Sequence, residues 1–211
     1  MSLSVGDEEA IVHANRRRFY DVLDIDPGCI AIPRQVHGDV VLQISDPGLY
    51  ESCDALVTDR AGVYLTVSVA DCLPIFLFDP VRLVVAAVHS GWKGSVRRIL
   101  SKTLSLLQDR CGSQTGDVLA FIGPGSGSCC YEVGDDVASQ FDPGYSTRDP
   151  DRKARLDLKA FNRDLLIHAG VPPGQVEISD RCTICLPELF HSYRRDGQRS
   201  GRMMGVIGMR R

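Results

Sequence analysis

S-V-A-D-C-L-P-I-F-L-F-D-P-V-R-L-V-V-A-A-V-H-S-G-W-K-G-S-V-R-R-I, residues 68–99, holds two strand-like runs and the start of a helix. Residues 74–79 and 83–88 are apolar runs of strand length, interrupted at Asp79-Pro80, and read as neighbouring strands. Residues 95–108 put Val96, Ile99, Leu100, Thr103, Leu104 and Leu107 on one stripe, the period of an amphipathic helix. Between strand and helix, H-S-G-W-K-G leaves His89 at a strand end with Gly91 in the turn. Cys72 likewise follows a strand-like run, residues 63–69. Strand ends beside a glycine turn and a helix N-terminus are where α/β folds place chemistry.

Upstream, residues 6–24 read as a helix with Asp7 as N-cap and Ile11, Ala14, Arg18 and Val22 near one face. His13 falls on its surface. Short strands are expected at 29–36, 40–44, 53–58 and 63–69. Downstream come a strand at 117–122, the glycine-rich turn G-P-G-S-G-S-C-C-Y-E-V, and a short helix at 134–141. A polar loop at 141–154 follows, then a helix at 158–169 capped by Gly170 and strands at 175–179 and 202–209. The elements do not alternate regularly. That order points to an α+β fold with mixed β-sheets, and no linker or repeat divides the chain.

At 211 residues, 44% hydrophobic and 24% charged, the chain suits one domain with a sizeable core. A formal net charge of −3 offers no polyanion footprint, so nucleic acid is not an expected partner. No apolar run reaches the roughly 18 residues of a membrane helix. The N-terminus lacks the basic and apolar regions of a signal peptide, and a cytoplasmic location is expected. In a reducing compartment the eight cysteines are packed thiols, metal ligands or catalytic groups, not disulfides.

His37, in R-Q-V-H-G-D, joins Cys72 and His89 as a third candidate ligand. Two imidazoles and a thiolate suit tetrahedral zinc with an open position. Their spacing matches no local zinc motif, so the fold must assemble the site; taken singly, a histidine after a strand is more often a packed or surface residue and a lone cysteine more often core. Lys93, Arg97 and Arg98 open the helix after His89 and offer an anion site or a solvated basic face. Arg34 is a second phosphate candidate, and Arg194 in Y-R-R-D-G either reaches a ligand or closes a surface turn. Asp71 and Glu132 are the acid–base candidates; Asp71 alternatively bonds backbone amides at its strand end. Cys182 and Cys185 form a C-x-x-C with no second C-x-x-C to complete a four-cysteine site, and a structural role with two half-buried thiols is expected.

These stretches resemble the laccase-domain, or YfiH-like, family, also labelled polyphenol oxidase and peptidoglycan editing factor. The resemblance rests on R-Q-V-H-G-D-V-V (34–41), C-D-A-L-V-T-D (53–59), A-D-C-L-P-I (70–75), H-S-G-W-K-G (89–94), G-P-G-S-G-S-C-C-Y-E-V-G (123–134), D-L-K-A-F-N-R (157–163), C-T-I-C (182–185) and F-H-S-Y-R-R-D-G (190–197). It implies a four-layer α/β/β/α sandwich with mixed sheets and a zinc held by His37, Cys72 and His89. It further implies phosphorolysis of adenosine, inosine or methylthioadenosine and deamination of adenosine, with purine nucleoside and phosphate as partners. Some family members are linked to correcting peptidoglycan precursors. Here H-S-G-W-K-G stands where the family has H-A-G-W-R-G, keeping the charge without the bidentate fork. The family's usual N-terminal segment has no counterpart before Gly6-Asp7, so residues 1–211 are expected to form one domain without it, as a monomer or small homo-oligomer.

Two further readings stand beside this one. Cys72 as nucleophile with His89 as base gives a thiol hydrolase acting on amides or peptidoglycan precursors. A non-catalytic metal-binding protein is the other. A multicopper oxidase needs many histidines in H-x-H pairs, whereas this chain has five histidines and no such pair, so copper is expected only adventitiously.

Overall fold

The computed structural model describes residues 1, 5–148 and 153–210. At its centre β6 (Leu73–Asp79) and β7 (Val84–Ser90) pair antiparallel from Leu73–Ser90 to Asp79–Val84. The expected strand start at Leu83 moves by one residue, because Leu83 has φ 54 and closes the turn. Asp79 Oδ1 accepts the Val81 and Arg82 N–H groups at 2.8 and 2.9 Å, which fixes that turn. Side chains alternate along the hairpin. Leu73, Ile75, Leu77, Val84, Ala86 and Val88 join one core, while Phe76, Phe78, Val85 and Ala87 join another.

Around the hairpin stand β2 (Val41–Gln43), β4 (Ala55–Thr58), β8 (Leu119–Ile122) and β12 (Val176–Ile178), in the order β12-β8-β6-β7-β4-β2. A second sheet has the order β13-β5-β1-β3, from β1 (Ile30–Pro33), β3 (Gly48–Tyr50), β5 (Tyr64–Val69) and β13 (Met203–Gly208). Both sheets are mixed: β4/β7 and β5/β13 are antiparallel, β2/β4 and β1/β5 parallel. Leu56, Leu65, Val85 and Ala87 pack between the sheets. On the outer face of the six-stranded sheet lie α3 (Ile99–Cys111) and α5 (Leu158–His168), whose Leu100, Leu104, Leu107, Phe161 and Leu166 fill the largest core. On the far face α1 (Glu9–Val22) lays Tyr20 against Ile30, Ile32 and Met204. The result is the expected four-layer α/β/β/α sandwich. No helix among the described residues is long and apolar enough to cross a membrane.

Three expectations change. The face of α1 is not the expected stripe: Ile11 and Val22 are 51% and 84% exposed, while Val12 and Tyr20 are buried. Its N-cap is Glu8, not Asp7, and that side chain makes no capping bond. The helix expected at 95–108 is broken. α2 (Trp92–Val96) ends before Arg98, which adopts φ 61 and stacks its guanidinium 5.1 Å from the Phe161 ring before α3 begins. Within the loop expected at 141–154, β10 (Ser146–Thr147) pairs with β11 (Ala154–Leu156), which pairs in turn with β9 (Glu132–Val133). Residues 149–152 of that stretch lie outside the described residues.

Candidate metal centre

Strand alternation directs His89 to the inter-sheet side of β7, the side of Val85 and Ala87. Ser90 takes the other side, where its Oγ lies 2.8 Å from Ser95 Oγ and donates to Asn162 Oδ1 at 3.1 Å. Asn162 donates to Ser95 Oγ and to the Leu158 carbonyl. This buried network joins the end of β7 to α2 and α5.

The partner of His89 comes from β4. Ala55 pairs with Val88, so the next residues across the ladder are Asp54 and His89. His89 N–H donates to the Asp54 carbonyl at 2.7 Å, and His89 Nδ1 lies 2.7 Å from Asp54 Oδ1. Both residues are buried, with 3% and 1% exposure. The same carboxylate accepts the N–H groups of Val36, His37 and Gly38 at 3.2, 3.0 and 2.7 Å. Those bonds hold His37 at φ 56, a left-handed conformation uncommon outside glycine. Gln35 clips the same loop to β5 by two 2.8 Å bonds with Ser68. Asp54 therefore orients both histidines. It was not among the sequence candidates, although a carboxylate opening an apolar strand demands a buried partner.

Cys72 precedes β6, and the pairing of Leu73 with Ser90 sets it across from Gly91. A Cβ on Gly91 would fall 2.8 Å from Cys72 Sγ, so glycine makes room for the sulfur. One ligand atom from each of His37, Cys72 and His89 lies within 4.8 Å of the others. The two imidazoles meet edge-on with centroids 4.9 Å apart.

Burial opposes a thiolate at Cys72, but the charge of His89 and hydrogen bonds from both histidines outweigh it and bring the thiol down to about 6. Burial also opposes an imidazolium at His89; the Cys72 thiolate and Asp54 overcome it and raise the group to about 9. At Asp54 burial is again the largest influence, and the bonds from His89 and Gly38 reverse it, holding the carboxyl below its ordinary value. The donor set fits a metal. Asp54 occupies Nδ1 of His89 and leaves Nε2 to face Cys72, the arrangement by which an outer carboxylate fixes a ligand's tautomer. Three ligands leave a position open for chemistry.

The other candidates fall around this centre. Asp71, at φ 83, is buried and accepts from Thr183 Oγ1 at 2.6 Å, Ser192 Oγ at 3.0 Å and Arg194 N–H at 2.7 Å. The guanidinium of Arg194 lies 4.9 Å from the Tyr131 ring and donates to the Glu132 carbonyl at 2.8 Å. Burial pushes the Tyr131 hydroxyl up to about 12, and the negative charge of Cys72 adds to that shift. Tyr131 was a second residue without a sequence assignment. The side chain of Glu132 is exposed on β9. Lys93 is exposed on α2, its Nζ 5.6 Å from the Trp92 ring. The next residue, Gly94, abuts the His37 loop; a Cβ there would lie 3.1 Å from the Gly38 carbonyl. Arg34 is exposed and ion-paired with Glu51 at 3.2 Å.

The C-x-x-C has partners that no second C-x-x-C announced. Cys129, Cys130, Cys182 and Cys185 place their sulfurs within 4.8 Å of one another. Cys182 is buried and Cys185 exposed, not both half-buried. Two open clefts of about 370 and 280 Å³ both border Cys129; neither is lined by His37, Cys72 or His89.

Comparison with known proteins finds matches along nearly the whole chain. The family model described as multi-copper polyphenol oxidoreductase laccase matches residues 1–210. A protein of Deinococcus radiodurans named purine nucleoside phosphorylase is 40% identical over 97% of this chain and 80% of its own length. One of Geobacillus stearothermophilus, purine nucleoside phosphorylase YlmD, is 36% identical over 100% of this chain and 83% of its own. A protein named adenosine deaminase RL5, of an unknown prokaryotic organism, is 34% identical over 94% and 82%. The crystal structure of YlmD from Geobacillus stearothermophilus superposes with a TM-score of 0.96 at 35% identity, covering 100% of this chain and 84% of that one.

Proposed function

The chain belongs to the multi-copper polyphenol oxidoreductase laccase family, and we propose from that membership that it is a zinc-dependent enzyme of purine nucleosides. The observation that carries the reading is the convergence of His37, Cys72 and His89 around one point, with Asp54 behind two of them. Relatives named purine nucleoside phosphorylase support phosphorolysis as the first activity, and the relative named adenosine deaminase supports deamination as the second. Bound among these three ligands, zinc would supply Lewis acidity at an open position.

The chain's own residues divide the remaining work. Lys93 and Arg194 are the cations we assign to phosphate, one on α2 and one beside Tyr131. Arg34, already paired with Glu51, is the weaker candidate. Tyr131 is buried in the core and packs its ring against the Arg194 guanidinium, which braces that cation. Glu132 is the carboxylate assigned to proton movement, because its side chain is exposed. Asp71 becomes a positioning residue: three donors occupy its oxygens, tying Thr183, Ser192 and Arg194 to the residue before Cys72. A native multicopper oxidase is disfavoured by the donor set, which contains two imidazoles.

The test is incubation of zinc-replete protein with adenosine and phosphate, followed by chromatography. Adenine that requires phosphate is the expected product, with inosine as the mark of deamination, and Cys72→Ala abolishes both. Amide hydrolysis by metal-free protein, blocked by alkylation of Cys72, would instead establish the thiol hydrolase. Nucleoside binding without turnover would establish the non-catalytic protein.

Metal uptake has a pH signature. Between about 6 and about 9 the metal-free pair is thiolate at Cys72 and imidazolium at His89. His89 must lose its proton to ligate, so zinc binding in that window releases about one proton. Below about 6, Cys72 is protonated as well, so another proton must leave and the affinity falls more steeply with acid. Calorimetry in buffers of different ionisation enthalpy reads the number directly; binding without proton release at neutral pH would count against His89 as a ligand.

A further inference from the structure

We propose a second metal site, a structural zinc held by Cys129, Cys130, Cys182 and Cys185. The four sulfurs lie within 4.8 Å of one another, with Cys130–Cys185 at 3.2 Å and Cys129–Cys185 at 3.5 Å. Tetrahedral zinc with bonds of about 2.3 Å to sulfur sets its thiolates roughly 3.8 Å apart, so small rotations of these side chains complete the shell. Cys185 faces both Cys129 and Cys130. A disulfide would satisfy one of them and strand the other; a metal takes both.

The backbone is shaped for this. Adjacent cysteines in an extended strand point to opposite faces. Here Cys130 and Tyr131 N–H groups both donate to the Gly127 carbonyl, at 3.0 and 2.9 Å, and the tight turn brings both thiols round to one side. A Cβ on Gly127 would lie 3.2 Å from Cys129 Sγ and from Cys182 Cβ, so the turn closes onto the sulfurs themselves. Gly127 N–H donates to Cys182 Sγ at 3.2 Å. The Cys185 and Ile184 N–H groups also hydrogen-bond this sulfur. The buried Lys159 ammonium donates to the Ser179 and Arg181 carbonyls at 2.7 and 2.8 Å, and sets a positive charge beside a cluster that carries net negative charge when zinc is bound.

Four thiolates leave no open position, which makes this a structural site. It would join two segments that otherwise share few backbone bonds, Gly125 with Cys182 and Thr183 among them. One segment carries Tyr131 and Glu132. The other carries Thr183, which bonds Asp71 beside Cys72, and leads on to Arg194. The second zinc would therefore brace a wall of the first centre without taking part in its chemistry.

The Cys72→Ala chain, reduced, loaded with zinc and freed of loose metal, isolates the second site. Mass spectrometry of the native protein is expected to find about one zinc per chain, lost on adding Cys185→Ser. Cys185 is exposed, so this change removes a ligand without opening the core. Cobalt substituted into Cys72→Ala is expected to show thiolate-to-metal charge transfer that Cys185→Ser abolishes. Zinc-free Cys72→Ala protein whose four thiols alkylate freely, or which carries a mapped disulfide among them, would overturn the proposal.

Discussion

Replacing Asp54 with asparagine is expected to weaken zinc binding about 10–100-fold, the usual effect of losing an outer-shell partner, and to lower the melting temperature of the metal-free chain. The carboxylate accepts from four groups: Val36, His37 and Gly38 N–H, and His89 Nδ1. An ionised carboxylate has lone pairs enough for all of them. An amide has one oxygen, and its NH₂ would meet donors where an acceptor is needed. At least some of these N–H groups would be left buried and unpaired, at about 1–3 kcal/mol each. Asp54→Ala removes every acceptor and leaves His89 without its buried partner, a change of about 3–5 kcal/mol. Competition with a chromophoric chelator measures the affinity, and thermal melting with and without zinc measures the rest. Unchanged affinity in Asp54→Asn would show that the histidines are held by other means. Because Asp54 is held below its ordinary carboxylate value, its contribution is complete above that range and disappears as pH falls through its folded value. The asparagine variant should lack that acid dependence.

The second large effect is expected from Gly91→Ala. The added methyl would lie 2.8 Å from Cys72 Sγ and 3.8 Å from Cys72 Cβ and His37 Cδ2. Gly91 has φ −82 and ψ 178, conformations open to alanine, so the backbone itself is not strained. The clash falls on the sulfur. Cys72 must rotate away, which takes a ligand off the centre while leaving both sheets intact. Zinc at the His37–Cys72–His89 centre should be lost along with turnover of adenosine, and far-ultraviolet circular dichroism should be unchanged. Retained turnover with bound zinc would mean that Cys72 is not a ligand. Gly94→Ala is a harsher change, since its Cβ would meet the rigid Gly38 carbonyl at 3.1 Å, and it is expected to shift the His37 loop as a whole.

The two buried faces of β6 and β7 explain why the central hairpin was legible and α1 was not. The hairpin is apolar on both sides because it is covered by helices on one side and by a sheet on the other. α1 packs on β1, β5 and β13 of the smaller sheet through few side chains, Tyr20 among them, while Ile11 and Val22 stay in solvent. Its composition therefore fits more than one face. The break between α2 and α3 is similarly silent in a hydrophobic stripe: what holds it is the bonding of Asn162 to Ser90 and Ser95 and the packing of Arg98 on Phe161, contacts between residues far apart in the chain.

The same division runs through the two cysteine-containing centres. Residue chemistry offered His37, Cys72 and His89 as candidates, because imidazole and thiol at strand ends are ligand types, and the family resemblance singled them out together. Residue chemistry marked Cys182 and Cys185 too, because C-x-x-C is a local pattern. What only the tertiary structure decided is which groups meet. Asp54 reaches His89 because β4 pairs with β7 in one register, and a slip of one residue would turn it to the other face. Cys129 and Cys130 reach Cys185 because the chain returns beside the glycine-rich turn. Periodicity and residue type are local properties, and a sequence carries them openly. Register and loop approach arise from long-range packing, and they set the distances over which sulfur, nitrogen and carboxylate act.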